Sequence, residues 1–480
     1  MKLKELLKDV EVLEVSADLE LEVQDVVYDS RRVTPGDLFM AISGFASDGN
    51  RFIPMAVAKG AVAVVTAKRP ETNVPFVLVA SDRLAMAQMA CNFYGHPAKD
   101  MTMIGITGTN GKTSVTLLLK HVLEVCLGAK VGLIGTVENR IGDVVIPTER
   151  TTPESVELQG LFARMRHAGC THVVMEVSSH ALTLERVGGV HFNIGAFTNL
   201  TEDHLDFHKT MDAYGEAKAE LFRRCGKCVL NADDAWYSRM KNAAVGNVLA
   251  VSASACDGLY AKDAVLKASG VEFTAVLGEQ EVPVRLGIPG AFTVYNALTV
   301  LGVAVQAGIS LENAAAALAT AAGVKGRVEV VPTPGKDYTV LIDYAHTPDG
   351  LENVLSSVKG YCKGRLIAVF GCGGDRDPVK RPIMGEIGAR IADIAIITSD
   401  NPRTEAPMAI IEDILAGITD RKNCIVIENR VEAIHRAMDI AEKDDIIILA
   451  GKGHETYQEI CGVKNHLDER EVVAKYLTEN

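Results

Sequence analysis

The chain has 480 residues, of which 48% are hydrophobic, and a formal net charge of -13 at pH 7. That length exceeds what one hydrophobic core usually organises, so two to four globular domains are expected. The acidic balance argues against a protein that holds nucleic acid or a membrane surface through a basic field. No run approaches the roughly 20 apolar residues of a membrane span, and "MKLKELLKDVEVL" is too broken by charge for a secretory signal. A short amphipathic helix, no membrane insertion and a cytoplasmic location are expected.

In chain order, "QDVVYDSRRVTPGDLFMAISG" reads as short strands and turns and "GAVAVVTAKR" as a βαβ fragment, which sets a small domain at about 1–98. From Met101 to Ala450 the apolar runs "MTMIGIT", "KVGLIGTV", "THVVMEV", "FNIGAFT", "RLIAVFG", "ADIAIIT" and "DIIILAG" alternate with helix-length segments. This alternation predicts parallel sheets with crossover helices. A boundary near 330, where an alanine-rich helical stretch gives way to "VEVVPTPGKDYTVLIDYAHTP", divides the rest into 99–329 and 330–480. The expected fold is α/β in three domains. The ten cysteines are scattered, and the lone pair Cys225 and Cys228 has no second pair at zinc spacing, so buried reduced thiols are expected.

The runs end in "GTNGKTS", "SSH", "NLTEDHLDFH", "CGGDRD", "SDNPR" and "KGHE", at the carboxyl ends where open α/β sheets bind ligands. In "IGITGTNGKTSVTLLLKHVL" a strand, a glycine turn and a helix follow in the order of a phosphate loop. Backbone N–H groups of Gly108, Thr109, Asn110, Gly111 and Lys112 can converge on phosphate oxygens. Lys112 can reach the transferred phosphate, Thr113 can ligate Mg²⁺, and Ser114 follows it. Ile106 stands where the standard spacing wants its first glycine. Glu176 fits the acidic residue facing such a loop. His204 and His208, four apart, allow a zinc reading, which the lack of HExxH disfavours. Lys218 in "YGEAKAELF" looks exposed on spacing alone, and Asn-Pro in "DNPR" marks a turn.

Taken together, "TGTNGKT", "MEVSSH", "TNLTEDHLDFH", "YGEAKAELF", "IPGAFTVYNALTV", "GRVE", "DYAHTP" and "AGKGHE" resemble, in this order, the Mur ligases, ATP-dependent amide-bond formers of peptidoglycan synthesis. "DSRRVTPGDLF" and the pair "DNPR" with "GKGHE" are similar to the branch that adds the third stem-peptide residue to UDP-N-acetylmuramoyl-L-alanyl-D-glutamate. The resemblance implies a UDP-binding N-terminal domain, a central P-loop domain and a C-terminal Rossmann-like domain, acting as a monomer. It implies ATP, Mg²⁺ and an acyl phosphate intermediate.

On matching positions, Lys112 cradles phosphates, Thr113 and Glu176 hold one magnesium, and His204 with a carbamylated Lys218 holds a second. By the same resemblance Asn296 matches an adenine contact and Arg327 a phosphate contact, and Asp343 with His346 matches the turn that faces the nucleotide. Ser30 matches the uridine position, and Thr151, Thr152, Ser178 and Arg186 match those holding the muramoyl dipeptide; Leu184 stands where some relatives have a polar contact. Arg376, Asp400, Asn401, Pro402, Arg403, Gly451 and Glu455 match the pocket for meso-2,6-diaminopimelate. L-Lysine as the added amino acid, and a folylpolyglutamate synthase-like ligase, are the alternatives. A P-loop GTPase lacks its guanine signature here.

Overall fold

The computed structural model describes residues 1–44, 48–71, 73–148, 150–267 and 269–479. The chain forms two compact units, Met1–Leu249 and Ala250–Asn480, and three sheet-containing regions follow one another along it.

In the first unit, the opening helix Leu3–Leu6 is amphipathic as expected, with Leu3 and Leu6 fully buried. It packs into the core of a five-stranded sheet ordered Val12–Val15, Phe76–Val79, Ala63–Thr66, Leu38–Ala41, Val26–Val27. The first strand is antiparallel and the other pairings are parallel. The same unit holds a parallel array ordered Cys225–Asn231, Phe192–Phe197, Thr102–Thr107, His172–Glu176, Val131–Ile134, extended by the antiparallel strands Asn139–Ile141 and Val144–Ile146. Its strands are almost continuously apolar because both faces are covered.

Register decides what these strands deliver. Glu176 pairs with Ile106 and Phe197 with Thr107, so the neighbours of Thr102–Thr107 end level with the loop that follows it. Ile106, the departure from standard spacing, is a fully buried strand residue. The sheet runs on through that position, and Gly108, at φ +151, makes the turn in its place. A Cβ there would lie 1.9 Å from Thr198 Oγ1.

In the second unit, the strands Leu259–Lys267, Gly270–Leu277 and Gln280–Leu286 form an antiparallel meander. This departs from the parallel sheets with crossover helices expected between Met101 and Ala450. The cause is local: Gly278, at φ +61, lets the chain reverse between the paired residues Leu277 and Gln280, too short a link for a parallel crossover. Helices Ala291–Gln306 and Leu311–Ala319 pack on these strands.

The unit's six-stranded sheet has the order Glu329–Val331, Thr339–Asp343, Ile446–Ala450, Leu366–Phe370, Ile394–Ile397, Cys424–Val426, parallel except for the first pairing. Five helices accompany it: Pro348–Lys359, Lys380–Ile391, Pro407–Leu415, Arg430–Ile440 and Glu469–Glu479. Cys225 and Cys228 are buried free thiols, as expected. No helix among the described residues is long and apolar enough to cross a membrane.

Beneath the carboxyl ends of these strands lies Arg430, fully buried at the start of its helix. Its Nε donates to Glu469 Oε1 at 2.8 Å and its Nη2 to the Ala450 carbonyl at 2.8 Å. Losing one partner of such a pair leaves the other charge uncompensated, at a cost of about 3–5 kcal/mol. Arg430→Met should therefore lower the urea-unfolding free energy by about that amount, and adding Glu469→Leu should restore most of it. Equal stability of wild type and single variant would remove this pair from the account.

Candidate active site

The first unit builds the glycine turn and helix start that the sequence marks as a candidate phosphate loop. Gly111, at φ +85, turns the chain into the helix Lys112–Leu127, so its first-turn N–H groups face the loop. Lys112 Nζ folds back onto the carbonyls of Gly108, at 2.9 Å, and Thr109, at 2.8 Å. Asn110 is fixed from both sides: its N–H donates to Asn199 Oδ1 at 2.9 Å, and its carbonyl accepts from Thr198 Oγ1 at 2.6 Å. Ser114 is buried on the same first turn.

Glu176, buried at its strand end, accepts from Thr113 Oγ1 at 2.9 Å, Thr136 N at 2.9 Å and Thr136 Oγ1 at 3.0 Å. Thr136 Oγ1 also lies 3.0 Å from Thr151 Oγ1. Thr136 was not singled out in the sequence, although it follows "VGLIG" at a strand's carboxyl end and could have been found by that rule.

Lys218 is 1% exposed, which corrects the impression its spacing gives. The helix Met211–Ala219, capped by Thr210, turns it inward against the Tyr214 ring, 4.5 Å away. Its Nζ donates to the Gly108 carbonyl at 2.8 Å, the same oxygen that Lys112 contacts. Burial first, then the nearby Lys112 ammonium, pushes its pKa well below the usual lysine value, with Asp203 opposing. The site thus favours a neutral amine.

His204 adopts φ +55 just before the helix Leu205–His208, so it and His208 do not present the shared helix face of the zinc reading. Its ring stacks edge-on against His180 at 4.8 Å, and its pKa is lowered by burial. His208 Nε2 instead lies 2.9 Å from Ser179 Oγ. Burial brings both His180 and His208 down to about 4. An unfolded histidine titrates near about 6.5. As pH falls from about 6.5 to about 4 the unfolded chain binds protons that the folded one refuses, and stability drops across that window. The double variant His180→Gln, His208→Gln should flatten that part of a Tm against pH curve; an unchanged slope would exclude these two rings as its cause.

A second group gathers beside Glu176. Thr152 Oγ1 donates to the Glu176 carbonyl at 2.8 Å and accepts from Ser178 N at 3.2 Å, and Arg186 Nη1 donates to the Thr152 carbonyl at 3.1 Å. Ser178 caps the helix Ser179–Thr183. Arg186 pairs with the buried Glu154 at 2.9 Å, a partner the sequence did not mark. Ser30 is buried elsewhere, against Met55 Sδ at 3.5 Å.

In the second unit, Asp343 ends its strand and accepts from Val328 N and Ala345 N, both at 2.8 Å, while burial raises its pKa against the pull of Arg327. The Arg327 guanidinium lies over the Tyr344 ring at 4.9 Å, and Tyr344 also meets the rings of His346 and His454. Asn296 is buried on the helix Ala291–Gln306.

The "DNPR" turn follows Ile394–Ile397. Asp400 Oδ1 accepts from Asn401 N at 2.7 Å. Asn401 donates to Glu455 Oε2 at 2.8 Å, and the fully buried Lys452 bridges Asn401 Oδ1, at 3.1 Å, and Glu455, at 3.3 Å. Gly451, at φ +114, leaves room for Asp400, since a Cβ there would lie 2.6 Å from its Oδ2. Pro402 is buried, and Arg403 takes φ +52. Its Nη1 donates to the Gly374 carbonyl at 2.7 Å and its Nε lies 3.3 Å from Glu459. Arg376 is more exposed, with Nη1 on the Asp375 carbonyl at 2.9 Å. A Cβ on Gly373 would meet Arg403 Nη1 at 2.9 Å and Arg376 Cγ at 3.9 Å, so the two arginines flank one glycine.

Family models described as Mur ligase middle domain, Mur ligase glutamate ligase domain and Mur ligase family catalytic domain match residues 106–304, 326–453 and 22–94. The chain is 48% identical, over the whole of both chains, to the UDP-N-acetylmuramoyl-L-alanyl-D-glutamate--2,6-diaminopimelate ligase 1 of Clostridium acetobutylicum. It is 49% identical, again over both whole chains, to the corresponding ligase of Caldanaerobacter subterraneus. This chain belongs to the Mur ligase family. A solved structure of such a diaminopimelate ligase aligns with this Mur ligase over 100% of the chain and 99% of its own, at a TM-score of 0.75 and 32% identity. A folylpolyglutamate synthase of Mycobacterium tuberculosis aligns with 77% of the chain and 92% of its own at a TM-score of 0.62 and 17% identity, a likeness of fold.

Proposed function

We propose that this Mur ligase joins meso-diaminopimelate to the glutamyl carboxylate of UDP-N-acetylmuramoyl-L-alanyl-D-glutamate, consuming ATP, in peptidoglycan synthesis. The observation that carries this reading is identity of 48–49% over the full length of ligases named for that reaction. In this reading residues 1–98 bind the UDP moiety, 99–329 bind ATP and 330–480 bind the incoming amino acid, in a cytoplasmic monomer.

The glutamyl carboxylate attacks the terminal phosphorus of ATP, ADP leaves, and the amine then attacks the acyl phosphate carbon and expels phosphate. Catalysis by the chain is charge neutralisation and alignment. Lys112, swung off the Gly108 and Thr109 carbonyls, meets the transferred phosphoryl group, and loop N–H groups hold the other phosphates. Thr152, Ser178 and Arg186 orient the dipeptide, and Ser30 its uridine. Asn296, Arg327, Asp343 and His346 hold the nucleotide. Arg376 and Arg403 take the two carboxylates of the diamino acid, Asp400, Asn401 and Pro402 form one wall of its pocket, and Gly451 and Glu455 meet its distal ammonium.

The residues fit magnesium. Thr113 Oγ1 and Glu176 Oε1, 2.9 Å apart, are the hard oxygen donors it prefers. Among the described residues no group of three or more His, Cys, Asp or Glu side chains converges, which suits an ion completing its shell with water and phosphate oxygens. When bound, magnesium would neutralise phosphate charge. A bare ammonium at Lys218 would repel a second ion beside His204. Its neutral amine adding to CO₂, with loss of one proton, would supply carboxylate oxygens instead.

An acceptor-choice assay tests the function. With ATP, the purified protein should turn over UDP-muramoyl dipeptide plus diaminopimelate and ignore tetrahydrofolate plus glutamate. Lys112→Ala should abolish the reaction. Turnover on folate would overturn the reading.

A further inference from the structure

The two arginines that flank Gly373 sit on separate loops, 371–376 and 400–405, and nothing in either loop alone sets their spacing. The loops touch through backbone: a Cβ on Gly374 would lie 2.0 Å from the Pro402 carbonyl, and Gly374 N donates to the Asn401 carbonyl at 2.9 Å. Each arginine is coupled to a left-handed residue that is not glycine, Asp375 at φ +53 and Arg403 itself at φ +52. Such conformations persist only where surroundings over-determine them.

The Arg403 backbone is held by its N–H donating to the Glu459 carbonyl at 3.0 Å and its carbonyl accepting from Cys461 N at 2.7 Å, while around Asp375 the surroundings are a polar latch. Thr404 Oγ1 donates to Asp375 Oδ1 at 2.7 Å and Thr404 N to Asp375 Oδ2 at 3.2 Å. Glu405 Oε1 accepts from Asp375 N at 2.5 Å. Behind Glu405, the guanidinium of Arg381, 3% exposed on the helix Lys380–Ile391, grips both carboxylate oxygens at 2.8 and 2.9 Å. Its Nη1 also reaches Asp413 at 2.8 Å, and its Nη2 points at the Gly373 carbonyl at 3.5 Å. A paired fork of this kind fixes orientation as well as position.

We propose that Glu405, clamped by Arg381 and joined to Asp375 beside Thr404, is a positioning residue that sets the spacing of Arg376 and Arg403 and so determines selection of a diamino acid with two carboxylates. This rests on the function proposed above. Neither Glu405 nor Arg381 need touch substrate: the latch acts through the two loops it joins. It also explains why a glutamate stands three positions after Pro402, where a solvent-facing loop would accept almost any polar residue.

The test is steady-state kinetics of Glu405→Gln, which keeps the shape but loses the charge that holds Arg381. A displacement of about 1 Å can cost about 100-fold, so KM for meso-diaminopimelate should rise about 10- to 100-fold. KM for ATP and for the UDP-muramoyl dipeptide should stay within about twofold, and the preference for diaminopimelate over lysine should shrink by the same factor. Thr404→Val, which removes one latch bond without touching the buried ion pair, should move the same constant in the same direction and serves if the first variant does not fold. Unchanged diaminopimelate KM in both variants, or equal changes in all three KM values with a fall in Tm, would overturn the latch. A wild type that rejects diaminopimelate would overturn the proposed function as well, so the two failures are distinguishable.

Discussion

Meso-diaminopimelate is expected to exceed L-lysine in kcat/KM by about 10³-fold or more. Lysine lacks the distal carboxylate, and sites built around a polar partner reject analogues without it by about 10⁴ to 10⁵. Arg403 is not left wholly bare without ligand, because Gly374 and Glu459 engage its Nη1 and Nε. That partial satisfaction lowers the penalty, which places the lower bound of the expected ratio below that range. The same contacts fix the plane of the guanidinium, so little side-chain entropy is lost when a carboxylate arrives. Arg403→Ala should raise KM for diaminopimelate far more than KM for ATP and bring the ratio down toward unity. Comparable use of both amino acids by the wild type would mean that the turn is an ordinary loop.

Lys218→Ala should lower kcat by about 10²- to 10³-fold, the scale of losing one preorganised electrostatic group. The geometry behind this is the sharing of the Gly108 carbonyl by two lysines, at 2.8 and 2.9 Å. A second ammonium at one oxygen, here the buried Lys218 beside the half-buried Lys112, is repelled, and the depressed pKa of Lys218 makes its amine available to CO₂. Short carboxylates such as acetate or formate should partly restore the alanine variant by placing an anion where a carbamate on Lys218 would stand. Wild-type turnover in Lys218→Ala, or loss of activity with no rescue and an intact response to bicarbonate, would count against the modified lysine.

How far the sequence disclosed this arrangement depended on whether the signal was local. The phosphate loop, Glu176 at its strand end and the "DNPR" turn were legible because each is a short segment at the carboxyl end of an apolar run. Lys218 was not legible from its own neighbourhood: glutamates at 216 and 220 suggest a solvated face, whereas the helix register buries it against Tyr214. The antiparallel meander from Leu259 to Leu286 was hidden inside a βα alternation because a two-residue glycine turn is a weak signal beside long apolar strands. The latch was out of reach for a different reason. Asp375 and Asp413, the outermost of the four with Arg381 and Glu405 between them, are far apart in the chain, and the parallel packing of Leu366–Phe370 beside Ile394–Ile397 brings their loops together.

The most direct measurement is phosphate release with each component omitted in turn, with the product identified by mass spectrometry. Release is expected only when ATP, Mg²⁺, the UDP-muramoyl dipeptide and meso-diaminopimelate are all present, in step with one new product that equals dipeptide plus diaminopimelate less one water. Phosphate release that does not need the diamino acid, or a complete mixture that yields no such product, would contradict it.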